Sequence, residues 1–105
     1  EAAAALASGW VAQGPRVAEF EKAEAAYEGN AYGVAVSSCT AALHLGMIAL
    51  GFGSGDDVLV PSYTFVATAN AVEYTGATAV LVEVDIRTYT IDVSWVEDFK
   101  WGDCC

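Results

Sequence analysis

The sequence predicts an α/β fold, a partial three-layer structure in which a parallel sheet has helices on both faces. Short apolar runs with strand character alternate along the chain with segments of helical periodicity. Such alternation implies parallel strands joined by right-handed helical crossovers. A second observation is the run from Val34 to Leu50, which carries no formal charge in a chain whose net charge is -10. A buried parallel strand followed by a helix explains this run.

The first predicted helix lies in the segment GPRVAEFEKAEAAYEGN. Pro15 suits the first helical position, and Gly29 followed by Asn30 provides a stop signal. Four apolar residues recur at three- or four-residue spacing and predict a buried stripe: Val17, Phe20, Ala23 and Tyr27. The glutamates lie largely outside that stripe, so we expect a solvated face with local ion pairs around Lys22.

The remaining elements alternate between strand and helix. YGVAV predicts a buried strand, and TAALHLGMIALGFG predicts a helix with a stripe of Leu43, Met47 and Leu50. DDVLVPS, TFVATANAVEYTG and ATAVLVEVD then predict a strand, a helix and a strand. DVSWVEDF indicates a final helix start with Asp92 or Ser94 as its cap. Nothing marks a domain boundary, so residues 1–105 are expected to form one piece.

A membrane-spanning segment is the alternative interpretation of the charge-free run. It would place Ser37, Ser38, Thr40 and His44 in hydrocarbon, which is costly. The buried strand explains the same apolarity without that cost, so we expect no membrane insertion. His44 is expected to be a packed histidine and not a catalytic base.

Charge and cysteine content exclude several classes of partner. Four scattered cations form no basic stripe, so neither nucleic acid nor an anionic membrane surface is an expected partner. The three cysteines (Cys39, Cys104 and Cys105) are odd in number and include an adjacent pair, which does not fit a disulfide framework. No Cys/His ligand cluster predicts a metal site. A cytoplasmic location is therefore expected.

The segment SSCT is the first candidate binding site. It follows a predicted strand and opens a helix, and ligands of open parallel sheets bind at such carboxyl ends. The first amides of the helix lack intrahelical partners and lie at the positive end of its dipole, so a phosphate is a natural ligand. Ser38 and Thr40 can add hydroxyl hydrogen bonds. A plain N-cap without a ligand is the open alternative. GFGSGD, by contrast, is interpreted as a helix stop and turn.

The segment PSYTFVATANA is the second candidate. It also leaves a strand and enters a helix, so we expect it on the same edge of the sheet as SSCT. Tyr63 and Phe65 bring aromatic faces there, on which a flat heterocycle could stack. Packing in the core is the alternative for either ring taken alone.

Three separated motifs closely resemble one protein family. They are GPRVAEFE, the long stretch from YGVAVSSCTAAL to VEYTGA, and VDIRTYTID. In this order and spacing they resemble the N-terminal part of the DegT/DnrJ/EryC1/StrS sugar aminotransferases, from about Ser8 to about Glu97. The resemblance implies the aspartate-aminotransferase fold and pyridoxal 5′-phosphate (PLP) as cofactor. It further implies that an amino group passes, usually from glutamate, to a nucleotide-linked keto sugar in a homodimeric enzyme.

The resemblance also assigns site residues. Cys39 and Thr40 match the turn that holds the cofactor phosphate, through their amides and the Thr40 hydroxyl. Phe65, in preference to Tyr63, matches the ring that stacks on the pyridine. Neither Lys22 nor Lys100 matches the lysine that binds the cofactor covalently, and Asp85 and Asp92 do not match the acidic partner of its ring nitrogen.

The chain is therefore expected to be an N-terminal fragment of the PLP-binding large domain. It would contain no catalytic residue and would be inactive alone, and residues 97–105 would be an atypical tail. Two alternatives stay open: a PLP-dependent sugar dehydratase of the same family and a non-catalytic truncated remnant.

Overall fold

A computed structural model describes residues 2–10 and 12–99, which divide into two compact units at the boundary between Ser37 and Ser38. The predictions that concern Lys100, Cys104 and Cys105 lie outside the described residues. None of the helices in the described ranges has the length and apolar character needed to cross a bilayer.

The first unit contains two helices, α1 (Ala2–Ala7) and α2 (Pro15–Tyr27). The sequence did not indicate α1, whereas α2 confirms the predicted helix with Pro15 in its first turn. After α2, Gly29 adopts the left-handed conformation with φ of 70°. The Asn30 amide then donates to the Ala25 carbonyl at 2.8 Å, which closes the helix end.

The predicted apolar stripe of α2 is wrong in part. Val17 is half-buried, but the buried residue further along is Ala25, whereas Phe20 and Tyr27 are exposed. The cause is the returning chain: a Cβ at Gly33 would lie only 2.7 Å from the Glu21 carbonyl oxygen. The Glu21 carboxylate is half-buried there and accepts a hydrogen bond from the Ala35 amide at 2.8 Å. An ion pair forms on α2 between Arg16 and Glu19 at 2.8 Å, but none of the ion pairs among the described residues involves Lys22, around which they were expected.

The predicted strand at YGVAV does not form among the described residues. Residues 32–36 have no strand structure, and the Val34 side chain is 77% exposed. A strand is stable only when its backbone groups pair with a neighbouring strand. The described sheet contains two strands, and neither pairs with this segment.

The second unit consists of α3 (Cys39–Leu50), β1 (Asp57–Pro61), α4 (Ala67–Glu73), β2 (Thr78–Val82) and α5 (Val93–Asp98). β1 and β2 are parallel, with Asp57 opposite Thr78 and Pro61 opposite Val82. α4 connects them and contacts both strands, which confirms the predicted strand–helix–strand unit and the α/β class. The core is formed by Val60, Val72 and Ala77, with the half-buried Met47 of α3 packed against it.

The helix α3 ends at the glycine-rich turn as predicted. Gly51 is left-handed with φ of 83°, and its amide donates to the Ile48 and Met47 carbonyls. The Asp56 carboxylate accepts from the Gly53 amide at 2.9 Å and closes the turn. Of the predicted α3 stripe only Met47 contacts the core, since Leu43 and Leu50 are exposed. His44 is packed edge-on against Tyr74, the residue that follows α4, with 5.4 Å between the ring centroids.

Candidate functional site

The beginning of α3 leaves two backbone amides without a partner. Ser38 is the N-cap: its extended backbone has φ of -157°, and its Oγ accepts a hydrogen bond from the Ala41 amide at 3.2 Å. The Ser38 carbonyl accepts from the Ala42 amide at 3.1 Å. The amides of Cys39 and Thr40 donate to no group among the described residues. Ser38 is therefore an ordinary cap, and the next two amides stay available to a ligand.

The surroundings of these amides suit an anion. Cys39 is exposed and Thr40 is half-buried, so a ligand can reach both. No acidic residue lies in the first turn of α3, although the chain as a whole carries a net charge of -10. The dipole of a helix stabilises an anion at this end by about 0.3–1 kcal/mol. The sequence and the backbone geometry thus both favour an anion at this position.

The segment between β1 and α4 (residues 62–66, hereafter the rim segment) carries both aromatic candidates. The Ser62 amide donates to the Val82 carbonyl at 2.8 Å and extends the ladder past the end of β1. Phe65 is 77% exposed and forms no ring contact among the described residues. Tyr63 is also exposed, but its ring contacts Tyr89, with centroids 5.5 Å apart and planes inclined by 41°. Of the two rings, Phe65 has the free face.

The helices that follow the two candidate segments end close together, near the start of the sheet. α3 and α4 pack together, and the turns after them approach closely: a Cβ at Gly53 would lie 3.7 Å from the Thr75 carbonyl oxygen. Each turn leads directly into a strand start, at the paired residues Asp57 and Thr78. The two helices therefore end at the amino edge of the sheet, and α4 begins just after the rim segment, on the side where β1 ends.

The acidic residues of VDIRTYTID are engaged in local structure. The Asp85 carboxylate accepts a hydrogen bond from the Arg87 amide at 2.8 Å and forms an ion pair with its guanidinium at 3.3 Å. Asp92 is the N-cap of α5 and accepts from both the amide and the hydroxyl of Ser94, at 2.9 and 2.6 Å. The Ser94 hydroxyl, more than its amide, lowers the pKa of the Asp92 carboxyl below its ordinary range.

Sequence reasoning missed one residue of this region. Tyr89 has a left-handed backbone with φ of 58°, a conformation that costs a residue with a side chain roughly 1–2 kcal/mol. The detectable signal was an aromatic residue inside the polar turn DIRTYTID, where Gly or Asn is usual.

A cavity of about 540 Å³ lies elsewhere, in the first unit. It is lined mainly by α1, Trp10 and the first turn of α2, and its walls are mostly apolar. None of Cys39, Thr40 and Phe65 contributes to it. Lys22 is exposed on α2.

Comparison with known proteins identifies close relatives. The chain is 49% identical over 87 residues to the spore coat polysaccharide biosynthesis protein SpsC of Bacillus subtilis (strain 168), covering 83% of this chain and 22% of SpsC. It is 47% identical over 89 residues to the GDP-perosamine synthase of Caulobacter vibrioides, covering 84% of this chain and 24% of that protein.

Solved structures show the same fold. Spr1654 of Streptococcus pneumoniae, solved in PMP-form and PLP-form, superimposes with a TM-score of 0.84 at 35% identity, over 90% of this chain and 24% of that one. The chain thus spans about a quarter of the length of these relatives. The model of the DegT/DnrJ/EryC1/StrS aminotransferase family matches residues 1–99, and the chain belongs to this family.

Proposed function

We propose that this chain supplies the phosphate-binding part of a PLP site in a sugar aminotransferase. The observation that carries the proposal is the pair of unpartnered amides at the start of α3, on Cys39 and Thr40. The PLP-form and PMP-form of Spr1654 support this cofactor. Beyond the chain itself, the complete protein transfers an amino group from glutamate to a nucleotide-linked keto sugar. The name of the GDP-perosamine synthase supports a sugar attached to a nucleotide.

The residues present fit the two ends of the cofactor. Two amides and the Thr40 hydroxyl can donate to phosphate oxygens, and the helix dipole adds to their attraction. The exposed ring of Phe65 offers a flat face for the pyridine, while the ring of Tyr63 is already in contact with Tyr89. The cofactor, when bound, supplies the electron sink for chemistry at the amino-bearing carbon. The residues of this chain bind it and orient it.

The covalent lysine and the acidic partner of the ring nitrogen come, in our proposal, from other parts of a longer protein. Lys22 is exposed on α2 and belongs to the first unit, whereas Cys39, Thr40 and Phe65 belong to the second. Large apolar side chains such as Leu50 and Leu81 are exposed, which supports their coverage by further chain or by the second subunit of a homodimer. We place this enzyme in the cytoplasm. The family description favours amino transfer over the dehydratase alternative.

The decisive experiment removes one backbone N–H donor at the start of α3 without disrupting the helix. Proline is favoured at the first helical position, and Ser38, with ψ of 158°, already has the extended backbone that must precede a proline. In the full-length protein, Cys39→Pro deletes one donor to a charged acceptor, worth about 1.5–3 kcal/mol, so PLP should dissociate roughly tenfold or more readily. Cofactor retention during dialysis measures this.

Cys39→Ala is the matched control. It changes the side chain but keeps the amide, so it should retain PLP like the unmodified protein. Equal retention by the proline and alanine variants, with helical circular dichroism preserved in both, would remove the Cys39 amide from the site and reject the proposed pair of donors.

A further inference from the structure

Tyr89 occupies a backbone conformation that suits another residue type. The other described residues with positive φ are all glycines, whereas Tyr89 has φ of 58°. Bulky residues rarely adopt this region unless the surrounding structure compensates for the strain. An aromatic side chain at this position therefore calls for a contact that glycine or asparagine could not make.

The turn that carries Tyr89 (residues 83–92, hereafter the tyrosine turn) is closed by its own backbone. The Tyr89 amide donates to the Asp85 carbonyl at 2.8 Å, and the Asp85 amide donates to the Thr90 carbonyl at 2.9 Å. Val84 and Ile91 form an antiparallel bridge at its base. These bonds use main-chain atoms and would also form with glycine at position 89. The ring of Tyr89 is therefore not needed to close the turn.

The rim segment, in contrast, has no hydrogen bond to the tyrosine turn among the described residues. Among the described residues, the amides of residues 63–66 donate no hydrogen bond. The Thr64 hydroxyl bonds to the Thr68 hydroxyl at 3.2 Å, and the Phe65 and Val66 carbonyls accept from amides of α4 at 3.0 Å. These bonds tie the segment to the α4 that follows it, and the Ser62 amide ties its first residue to β2. The ring contact between Tyr63 and Tyr89, at 5.5 Å, joins the segment to the tyrosine turn. Both rings are more than half exposed, at 69% and 59%, so neither is simply part of the core.

We propose that Tyr89 is a positioning residue for the cofactor site. Its ring supports Tyr63, and Tyr63 in turn fixes the rim segment so that Phe65, two residues later, presents its face to the pyridine ring. This inference rests on the proposed function. The strained backbone of Tyr89 is tolerated because it aims the ring at Tyr63, and that arrangement is made before any cofactor binds.

The test compares a substitution of Tyr89 that removes the aromatic ring with one that retains it. In the full-length protein, Tyr89→Asn tolerates a left-handed backbone but removes the ring, and Tyr89→Phe retains the ring. Without cofactor, the NMR order parameters of amides 63–65 should fall from about 0.85 to below about 0.6 in Tyr89→Asn and stay unchanged in Tyr89→Phe. PLP retention should weaken roughly 2- to 10-fold in Tyr89→Asn alone.

A double-mutant cycle separates positioning from general stability. Tyr63→Ala should weaken retention as much as Tyr89→Asn, and the two together should weaken it no further, because both break one ring contact. Additive losses, or unchanged order parameters in Tyr89→Asn, would overturn the proposal. Should Tyr89→Asn not fold, Tyr89→Gly provides the same comparison. If Cys39→Pro and Cys39→Ala retain PLP equally, the proposed phosphate site is rejected, but the order parameters of the cofactor-free protein are unaffected. The two failures are therefore distinguishable.

Discussion

The starts of α3 and α5 satisfy the same physical requirement in opposite ways. α5 is capped by Asp92, whose carboxylate brings negative charge to the helix end and accepts two hydrogen bonds from Ser94. α3 is capped by Ser38, whose neutral hydroxyl satisfies the Ala41 amide and adds no charge. The positive end of α5 is thus neutralised by its own cap, while that of α3 receives no charge from its cap.

The comparison shows why a helix start alone does not define a binding site. Both caps are favourable by local preference, and both helices begin after an extended residue. What distinguishes α3 is the combination of a neutral cap and two amides, those of Cys39 and Thr40, that donate to no group among the described residues. Exchanging the character of the two caps should therefore exchange their affinity for phosphate.

Ser38→Asp should have the largest effect, because it gives α3 the cap of α5. Aspartate caps a helix as well as serine does, so folding should be preserved. Its carboxylate would lie a few ångströms from the cofactor phosphate, and two like charges 4 Å apart near a protein surface repel by about 4 kcal/mol. PLP affinity, measured by titration of the cofactor-free protein, should fall at least roughly 100-fold. Ser38→Asn, a neutral cap of similar shape, is the control and should stay within a few-fold of the original.

Thr40→Val tests the side chain that supplements the amides. Valine keeps the shape but loses the hydroxyl, and a hydrogen bond to a charged group contributes about 1.5–3 kcal/mol. We expect PLP retention to weaken roughly 10- to 100-fold. Thr40→Ser restores the hydroxyl and should restore retention. If valine and serine retain PLP equally, the Thr40 hydroxyl plays no part in phosphate binding.

Phe65→Leu tests binding of the cofactor ring separately from binding of its phosphate. Loss of ring stacking costs about 0.5–1.5 kcal/mol, so PLP affinity should fall roughly 2- to 10-fold. Inorganic phosphate, which has no ring, should bind the variant and the original equally, as judged by its competition with PLP. A parallel loss of phosphate affinity would mean that Phe65 supports the start of α3 and does not contact the pyridine.

The predictable features are those set by neighbours in sequence. The helix stop at Gly51 and the cap of α5 depend on residues within one turn, and local preference predicted the stop and narrowed the cap to Asp92 or Ser94. A plain cap in SSCT was one of two open alternatives, and Ser38 is that cap. The strand at YGVAV failed because pairing depends on a partner strand, which the described residues do not provide. Glu21 likewise appeared to lie on a solvated face until the chain returned and placed the Ala35 amide against it.

In the candidate site, too, some features depend on neighbours in sequence and others on residues far along the chain. The location of SSCT at a helix start followed from the sequence, and the structure adds which amides are unpartnered. The preference for Phe65 over Tyr63 came from family resemblance, and the contact between Tyr63 and Tyr89 gives it a physical basis. That contact joins residues far apart in sequence and depends on a left-handed tyrosine, so local preference points away from it.

The smallest effect is expected from Asp92→Asn, which gives α5 a neutral cap like that of α3. Because hydrogen bonds from Ser94 hold the Asp92 pKa below its unfolded value, the charged cap stabilises the folded state at neutral pH. This contribution is fully present above a pH of about 3.9 and is lost as the pH falls through the lowered pKa. The urea midpoint of the original should therefore exceed that of Asp92→Asn at pH 6, and the two should converge near pH 2. A difference that persists unchanged at low pH would show that shape, and not charge, distinguishes the two caps.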